Sequence, residues 1–344
     1  MCCCGSGRYN KSVCIKLQKG VLKCNKESTF ATRPSLFYID SMKQFLLLWL
    51  VILVSACNNS HEGVDSSAHK DEIEAWRQQR HARLLRPTGW LTLVGLFWLH
   101  EGANSCGIDS TNQVVFPPER GPARAGTFWR TGDSVWFESS EDAHVTSNAQ
   151  QISRLGLLSD GNGTQDPTML EMNSLLFYVI KRGDELGVRV KDTASVLRKK
   201  FKGMEYFPVD PTWRINARFD RYETPVKVPI GTTAGTMDTF EAPGAVVFSR
   251  GGTTYRLDAV VETGSESELF IMFMDGTSGK ETYGGGRQLY APMPDSIGDV
   301  ILDFNKAYNW PCVFTEFATC PIPPKQNRLQ LRIEAGEKMY AGHE

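Results

Sequence analysis

The sequence predicts a mainly β protein, an antiparallel β-sandwich or barrel with an N-terminal helical segment. From Val114 onward, short runs rich in β-branched and aromatic residues alternate with clusters of Gly, Pro, Asn and Asp. Such runs, bounded by turn residues, are typical of strands. Two-residue turn signals lie between neighbouring runs, which indicates consecutive antiparallel hairpins. These signals are Gly183-Asp184, Gly251-Gly252 and Asp275-Gly276.

The predicted strands follow one another with few helices between them, as in an all-β domain. They are Thr127–Thr131, Ser134–Glu138, Leu175–Arg182, Leu186–Lys191, Trp213–Asp220, Pro225–Ile230, Met237–Glu241, Ala245–Arg250, Thr254–Glu262, Leu269–Met274, Thr282–Tyr290 and Asp299–Phe304.

A helix is predicted from about Asp71 to Arg86, because Asp71 and Glu74 form a capping-box pattern and Pro87 stops the helix. One side of this helix is apolar, but Arg80 interrupts it. A buried arginine costs free energy unless it is paired, so Arg80 is expected either in a structural salt bridge or at a ligand. The apolar positions are Ile73, Trp76 and Leu84.

The next segment, Gly89 to Leu99, is apolar all round. Periodicity alone cannot separate a buried helix from a buried strand in such a segment. We expect a short helix that packs on the main sheet.

Residues 42–56 are typical of a bacterial lipoprotein signal peptide. A basic start at Lys43 leads into the apolar run Phe45 to Val54, and small residues precede Cys57. The apolar run is too short for a stable membrane-spanning helix. The pattern predicts cleavage before Cys57, acylation of its sulfur and anchoring at the bacterial cell envelope, on the periplasmic or the surface face. A short signal-anchor helix is the alternative.

The predicted signal peptide also predicts the domain organisation. Residues 1–41 are interpreted as a mis-assigned N-terminal extension, because a secretion signal must stand first and Met42 can serve as the initiator. Residues 57–68 are polar and predict a flexible tether. Residues 69–344 are then a single mainly-β domain.

The charge of the processed chain argues against nucleic acid as a partner. Without residues 1–56, the Lys/Arg total falls from 38 to 30 and the Asp/Glu total from 39 to 37, a net formal charge of about −7. The expected partners are therefore an unidentified small molecule and, through Cys57, a membrane.

Several catalytic classes lack their residues. No histidine lies between Val145 and Gly342, which disfavours a Ser-His-Asp triad or a histidine-ligated metal in the C-terminal half. No phosphate loop, Rossmann fingerprint or nucleophile elbow is present. No residue pattern specifies a metal or a cofactor.

Arginine and amide chemistry remains. Arg182 and Arg189 flank a tight turn, and Arg287 follows a glycine run; together with Arg80 they are candidate ligand-binding residues, because a guanidinium matches carboxylates and phosphates with two bonds. Each arginine can instead pair with a nearby acid. Polar residues at the end of a predicted strand extend the candidate set. They are Asn305, Tyr308 and Asn309.

Three carboxylates are candidates for a catalytic acid and base, namely Asp303, Asp275 and Glu281. They could also bind calcium through oxygen ligands, or Asp275 could simply build a turn. Cys312 and Cys320 lie eight residues apart and could form a disulfide outside the cytoplasm, which leaves Cys106 free.

Together these segments resemble the domain of unknown function 1684 (DUF1684) family over about Trp76 to Tyr340. The chain departs from the family pattern at Trp310, where a proline is usual, and at Gln288, where a bulky apolar residue is usual. The resemblance implies a mostly β fold and no established activity. The main blocks are Trp76-Arg77-x-x-Arg80, Arg182-Gly-Asp-x-x-Gly-Val-Arg189, Asp275-x-Thr-Ser-Gly279, Thr282-Tyr283-Gly-x-Gly-Arg287, Asp303-Phe-Asn-x-Ala-Tyr308-Asn309, Thr319-Cys-Pro-x-Pro-Pro324 and Glu334-Ala-Gly-Glu337.

Two functions from different classes fit these residues. The first is an arginine-lined site for a small anionic or polyhydroxylated ligand, as a binding module or a carboxylate-based hydrolase. The second is a structural or assembly lipoprotein that binds another protein. The second predicts an exposed aromatic patch, with Trp129, Trp136 or Trp310, and no convergent polar pocket.

Overall fold

The computed structural model describes residues 66–161, 165–262 and 267–342, and this part of the chain is mostly β with antiparallel sheets, as predicted. The signal peptide, Cys57 and most of the predicted tether lie outside the described residues. Helix α1 is Ser66–Leu84 and helix α2 is Val196–Lys200. Among the described residues, no helix is long and apolar enough to cross a membrane.

The strands are β1 Leu93–Trp98, β2 Gly102–Gly107, β3 Val114–Val115, β4 Gly126–Thr131, β5 Ser134–Ser139, β6 Thr146–Ser147, β7 Gln150–Gln151, β8 Arg154–Leu157, β9 Leu170–Met172, β10 Leu175–Arg182, β11 Glu185–Asp192, β12 Arg214–Gly231, β13 Met237–Arg250, β14 Thr253–Val261, β15 Glu268–Phe273, β16 Arg287–Pro292, β17 Asp299–Asp303 and β18 Tyr308–Asn309.

The N-terminal strands form a sandwich of two sheets. One sheet has the order β1-β11-β10-β9-β6-β7 and the other β3-β2-β4-β5-β8. Their inner faces share one apolar core, in which Phe177 contacts Phe116, Phe128 and Phe137. The alternation of side chains along a strand leaves the outer face of β10 and β11 free for other contacts.

The C-terminal strands form a curled sheet with the order β17-β12-β13-β14-β15-β16-β18. Strands from β12 to β17 all contribute side chains to one core, and β16 lies in contact with β17 although the two are not neighbours in that order. The sheet therefore wraps around its own apolar face, with Phe304 packed against Phe248 and Phe273 at the centre.

Two pairs of predicted strands are continuous in the structure. Trp213–Asp220 and Pro225–Ile230 both belong to β12, and Met237–Glu241 and Ala245–Arg250 both belong to β13. The β12–β13 pairing shifts register between Arg221 and Val226. Such an irregularity bends a strand without ending it. The turn-like residues inside these long strands therefore led to the prediction of two strands where the structure has one.

The expected short helix in Gly89 to Leu99 is wrong. Only a single 3₁₀ turn, Trp90–Thr92, precedes strand β1, which pairs antiparallel with β11. Thr92 donates from its hydroxyl to the carbonyl of Gly89 at 2.7 Å and closes the turn. The apolar run is then a strand packed on both faces, the case that periodicity cannot distinguish from a buried helix.

The predicted antiparallel pairing across Asp275-Gly276 is confirmed, but the two-residue turn there is wrong, as is the start of the predicted strand Thr282–Tyr290. Strands β15 and β16 do pair, but residues 274–286 form a loop between them and β16 begins only at Arg287. The carboxylate of Asp275 organises this loop by accepting from the hydroxyl of Thr277 at 2.9 Å. Asp275 does build a turn through its side chain, but this turn is part of a longer loop rather than a two-residue connection.

Helix α1 lies against the curled sheet through a partly polar face. It already includes residues 66–68, which the sequence analysis placed in the tether, and it ends at Leu84, two residues before the predicted end. His69 on this face lies 2.7 Å from Asp303, between Nε2 and Oδ2, and Trp76 packs on Tyr308 with ring centroids 5.9 Å apart. The helix is therefore attached at both its start and its middle.

Candidate functional site

A large cleft of about 1140 Å³ opens between helix α1, the outer face of β10 and β11, and one end of the curled sheet. Its lining combines basic, acidic and aromatic side chains. The basic ones are Arg80, Arg83, Arg86, Arg182 and Lys191; the acidic ones are Asp160, Asp238, Glu241 and Glu262; the aromatic ones are Trp90, Phe240, Phe270, Tyr290, Tyr308 and Trp310. Concave sites with an aromatic lining and a few polar groups are the usual form of ligand pockets.

Thr319 joins two arginines at one wall of the cleft. Its hydroxyl accepts from Nε of Arg182 at 3.1 Å and from Nη2 of Arg189 at 3.2 Å. Arg182 also forms two parallel bonds to Asp160, each 2.9 Å long. Arg182 is thus neutralised by its own carboxylate, but Arg189 is not.

Arg189 is a buried cation without an acid. Only 2% of the residue is exposed, and within the described ranges no carboxylate lies within ion-pair distance of it and Nε has no acceptor. Its guanidinium carbon lies 5.3 Å from the ring centroid of Trp90. Buried arginines are normally paired, because an uncompensated buried charge is costly. Arg189 therefore needs an explanation beyond packing.

Lys191 stands two residues further along β11 on the same face as Arg189, since Val188 and Val190 point into the sandwich core. Its ammonium donates to the carbonyl of Thr88 at 2.6 Å. Burial, and then the nearby charge of Arg189, lower the pKa of Lys191 to about 8. The wall therefore carries two adjacent cations, of which one titrates just above neutral pH.

Acidic residues line another part of the cleft. Asp238 and Glu241 lie on β13, and Glu262 directly follows β14. The hydroxyl of Tyr290 donates to Glu262. Burial raises the pKa of Tyr290, so its hydroxyl stays protonated and remains a donor.

The structure brings some of the predicted ligand residues to this cleft and not others. Arg80, Arg182 and Tyr308 line it, and Arg189 lies behind Thr319 and Trp90. The remaining three do not line the cleft, and all three are fully buried. They are Arg287, Asn305 and Asn309.

Arg80 belongs to a buried ion pair, which was one of its two expected states. Its Nε donates to Oε1 of Glu337 at 3.0 Å, and Nη2 donates to the carbonyl of Asn309 at 3.3 Å. The other oxygen of Glu337 accepts from the backbone N–H of Asn309 at 2.8 Å. Since the guanidinium also packs over the ring of Tyr308, Arg80 forms part of the cleft base as a structural element.

Arg287 is inaccessible. It pairs with Asp275 at 3.2 Å and donates to the carbonyls of Ile333 and Ala335. These bonds hold the C-terminal segment against the loop between β15 and β16. Asn305 and Asn309 likewise use their side-chain amides on backbone carbonyls, those of Asp210 and Lys338.

The three candidate acids lie apart from the cleft. Asp275 is buried with Arg287, and Glu281 pairs with Arg332 at the surface at 2.6 Å. Asp303 is occupied by His69 and, at 3.4 Å, by Arg214. The structure does not bring them together as an acid–base pair.

Cys312 and Cys320 are joined by a disulfide with a Cα–Cα distance of 6.3 Å, and Cys106 is free and buried. Cys320 lines the cleft directly after Thr319. The disulfide therefore restrains the residue on which Arg182 and Arg189 converge.

The family model named "Protein of unknown function (DUF1684)" matches residues 199–338. The chain belongs to the DUF1684 family. Within the matched residues lie the Arg287–Asp275 pair, Glu337 and the acidic wall of the cleft. The cationic residues Arg182, Arg189 and Lys191 precede them. A comparison with curated protein sequences gave no match.

Among solved structures, the chain is similar to an uncharacterised protein of Haloarcula marismortui determined by NMR in solution. The two are 33% identical, over 42% of this chain and 81% of that one, with a TM-score of 0.36. A structure from work on phosphothreonine-dependent FHA domain interactions is 16% identical over 29% of this chain and 96% of that one, with a TM-score of 0.20. Scores this low carry no structural argument.

Sequence reasoning missed Lys191, Thr319 and the acidic wall. Strand alternation does place Arg189 and Lys191 on one face, so that part of the signal was present. Glu241 and Glu262 lie in ordinary strand segments with no motif around them, and only the fold brings them to the cleft.

If Glu337 is the central acceptor of a buried ion pair, Glu337→Gln should lower the free energy of unfolding by about 3–5 kcal/mol, because Arg80 would stay buried without its acid. Urea denaturation would measure this. The control is Glu334→Gln, three residues away, whose partner Arg332 is exposed; it should change the free energy by less than about 1 kcal/mol. Equal effects of the two substitutions would contradict the structural role of Glu337.

Arg189→Met should leave the free energy of unfolding unchanged or raise it, since an apolar isostere removes an uncompensated buried charge. By contrast, Arg182→Met should lower it by about 1–3 kcal/mol, because Asp160 loses both bonds. Parallel urea titrations of the two variants give the comparison. A large loss of stability in Arg189→Met would show that Arg189 is needed by the fold rather than kept for a ligand.

Proposed function

We propose that this protein binds a small anionic or polyhydroxylated ligand in the cleft, with Arg189 and Lys191 as the anion-binding pair and Arg182 beside them. One observation carries the proposal: two adjacent cations on β11 lack a carboxylate partner in the part of the chain that the structure describes. Binding, rather than hydrolysis, is the activity that this geometry supports.

The physical reason is electrostatic. Arg189 and Lys191 repel each other, and burial removes water that would otherwise offset both charges. An anion placed between them would relieve the repulsion and replace the lost hydration. Anion binding is therefore favoured, because the free protein already bears the free-energy cost of the two uncompensated charges.

The aromatic lining supports the same proposal. Trp90 packs against both cations, with its centroid 5.3 Å from Arg189 and 5.5 Å from Lys191. Such a ring holds the cationic groups in place and leaves a flat surface for the apolar or ring part of a ligand. Polyhydroxylated ligands use similar aromatic surfaces.

A hydrolase would need acids in the cleft. Asp275, Glu281 and Asp303 are engaged elsewhere, so a carboxylate-based reaction would have to use Glu241, Glu262 or Asp238 instead. No contact between any two of these acids supports an acid–base pair.

The alternative, a structural lipoprotein that binds another protein, has one supporting observation. Trp129 and Trp136 stack on the outer face of the five-stranded sheet, with centroids 6.1 Å apart and planes at 8°. Trp129 donates to Glu138 at 2.9 Å, and Arg154 packs over Trp136. Both rings already contact neighbouring side chains of the same sheet, and of the two indoles only the Nε1–H of Trp136 is left without an acceptor among the described residues, so the cleft is the stronger candidate.

The decisive substitution for the ligand site is Lys191→Gln, which removes one half-buried charge at the cleft wall. In a thermal-shift and calorimetric screen of phosphate, sulfate, carboxylate and sugar-acid anions, we expect at least one anion to stabilise the native protein. Lys191→Gln should lower the affinity for that anion by about tenfold or more, the expected effect of losing one charge-assisted hydrogen bond. The control is Lys200→Gln, at the exposed end of α2, which should bind normally.

The pH dependence of anion binding gives a second readout on the same residue. With its pKa lowered to about 8, Lys191 is charged at pH 7 and mostly neutral at pH 9. Affinity should therefore fall as the pH rises through about 8, and Lys191→Gln should lose this dependence. Binding that is equal in both proteins at every pH would remove Lys191 from the site.

We also propose that the protein is anchored at the bacterial cell envelope through lipid on Cys57. The support is the sequence pattern of residues 42–57, which lies outside the described part of the structure. Mass spectrometry of the membrane fraction should find an acylated N-terminal Cys57, and Cys57→Ser should move the protein to the soluble fraction. An unmodified membrane-associated protein would favour the signal-anchor alternative.

A further inference from the structure

The cleft has unpaired charges of both signs. Asp238, Glu241 and Glu262 line it, and none of them lies within 4.0 Å of a basic group in the described residues. Lys191 lines the other wall and Arg189 lies behind it, against Thr319 and Trp90; in the described residues neither has an acid within 4.0 Å. The two walls therefore form no ion pair with each other in the described residues, although they border the same space.

A continuous aromatic base leads from the acidic wall into the cleft. Glu262 accepts from Tyr290, whose ring stacks on Phe270 at 4.9 Å, and Phe270 meets Trp310 edge-on at 5.9 Å. Trp310 is 5% exposed and lines the cleft, and its Nε1–H has no acceptor among the described residues. An indole N–H can only donate, so this buried group is left for an acceptor such as a carbonyl oxygen.

From these three features we infer that the ligand is an extended zwitterion of the class of short peptides. Its anionic group would lie at Arg189 and Lys191, its cationic group at Glu241 and Glu262, and a carbonyl of its middle part at the indole of Trp310. This inference rests on the proposed anion site. It adds to the ligand a cationic group and a hydrogen-bond acceptor.

Other ligand classes leave part of the cleft unsatisfied. A simple anion would neutralise one wall and leave three acids without a cationic partner. A polyanion such as a nucleoside triphosphate would be repelled by those acids. A neutral sugar could accept from Trp310 but would offset neither charged wall.

The test compares four forms of one peptide with the whole protein. Tri-alanine carries both charges, its N-acetyl form only the anion, its C-terminal amide only the cation, and the doubly blocked peptide neither. By calorimetry or NMR titration, tri-alanine should bind most tightly, and each single block should weaken binding by about tenfold, the size of one charge-assisted contact. Di-alanine and tetra-alanine then find the length that spans the two walls.

A variant assigns the amino group to its wall. Glu241→Gln/Glu262→Gln should lower the affinity for tri-alanine by about tenfold or more and leave the affinity for N-acetyl tri-alanine unchanged or higher. The control Glu268→Gln removes an exposed acid on β15 outside the cleft, and it should bind all four peptides as the parent protein does.

The outcomes separate this inference from the function on which it rests. If N-acetyl tri-alanine, or an anion of the earlier screen, binds in a Lys191-dependent way and the free amino group adds nothing, the zwitterion is wrong and the anion site stands. If tri-alanine binds with equal strength to Lys191→Gln, the anion site itself is contradicted. Absence of binding for every peptide of every length also overturns the inference.

Discussion

The buried carboxylate of Glu337 holds three separate parts of this chain together. It pairs with Arg80 of helix α1, accepts from the backbone of Asn309 on β18, and belongs to the C-terminal segment that Arg287 binds through its backbone carbonyls. A buried ion pair adds little net stability compared with an apolar contact, but breaking it is costly, so it specifies one arrangement rather than many. Gly336 lets the segment approach, because a side chain there would meet the carbonyl of Ala307 at 2.3 Å. The position of α1, and with it one side of the cleft, follows from this contact.

The arginines of the chain fall into two groups that differ in environment rather than in type. Arg80 and Arg287 each have a carboxylate partner and donate to backbone oxygens, although Nε of Arg287 has no acceptor within the described part of the chain. Arg189 is as deeply buried but has only the hydroxyls of Thr319 and, more distantly, Tyr178. Among the buried arginines of the described residues, Arg189 alone lacks a carboxylate, and perturbed or unpaired charges concentrate where ligands bind. The same contrast is seen among the acids: Glu337 and Asp275 are enclosed with an arginine, whereas Glu241 and Glu262 line the cleft without a basic partner in the described residues.

Local pattern was enough to predict β4, β5 and the strands from β10 to β17 in outline, but it missed β1, β2 and the short strands and did not predict the site. Runs of β-branched and aromatic residues bounded by turn residues located β10 and β11 within one residue at each end, because both signals lie within a few residues of one another. The partner of Arg80 lies 257 residues away, and nothing near either residue announces the pair. The segment from Gly89 to Leu99 failed for a different reason, since a strand covered on both faces has no polar side to show its period. Glu262 and Lys191 belong to unrelated segments that only the tertiary fold brings to one cleft.

The two walls of the cleft come from different parts of the sequence, so the charge of one wall can change independently of the other. Residues 199–338, which the family model matches, contain the acidic wall, Trp310 and the ion pair that fixes the C-terminal segment. The cationic wall comes from β10 and β11, before the matched residues. A substitution on the outer face of β11 exchanges a side chain that contributes nothing to the sandwich core, so it can change the charge of the cleft without disturbing either sheet. A chain with a neutral residue at both 189 and 191 would keep the acidic wall and the aromatic base and lose the two cations of β11 that have no acid in the described ranges, so the charge of one wall can vary while the other stays the same.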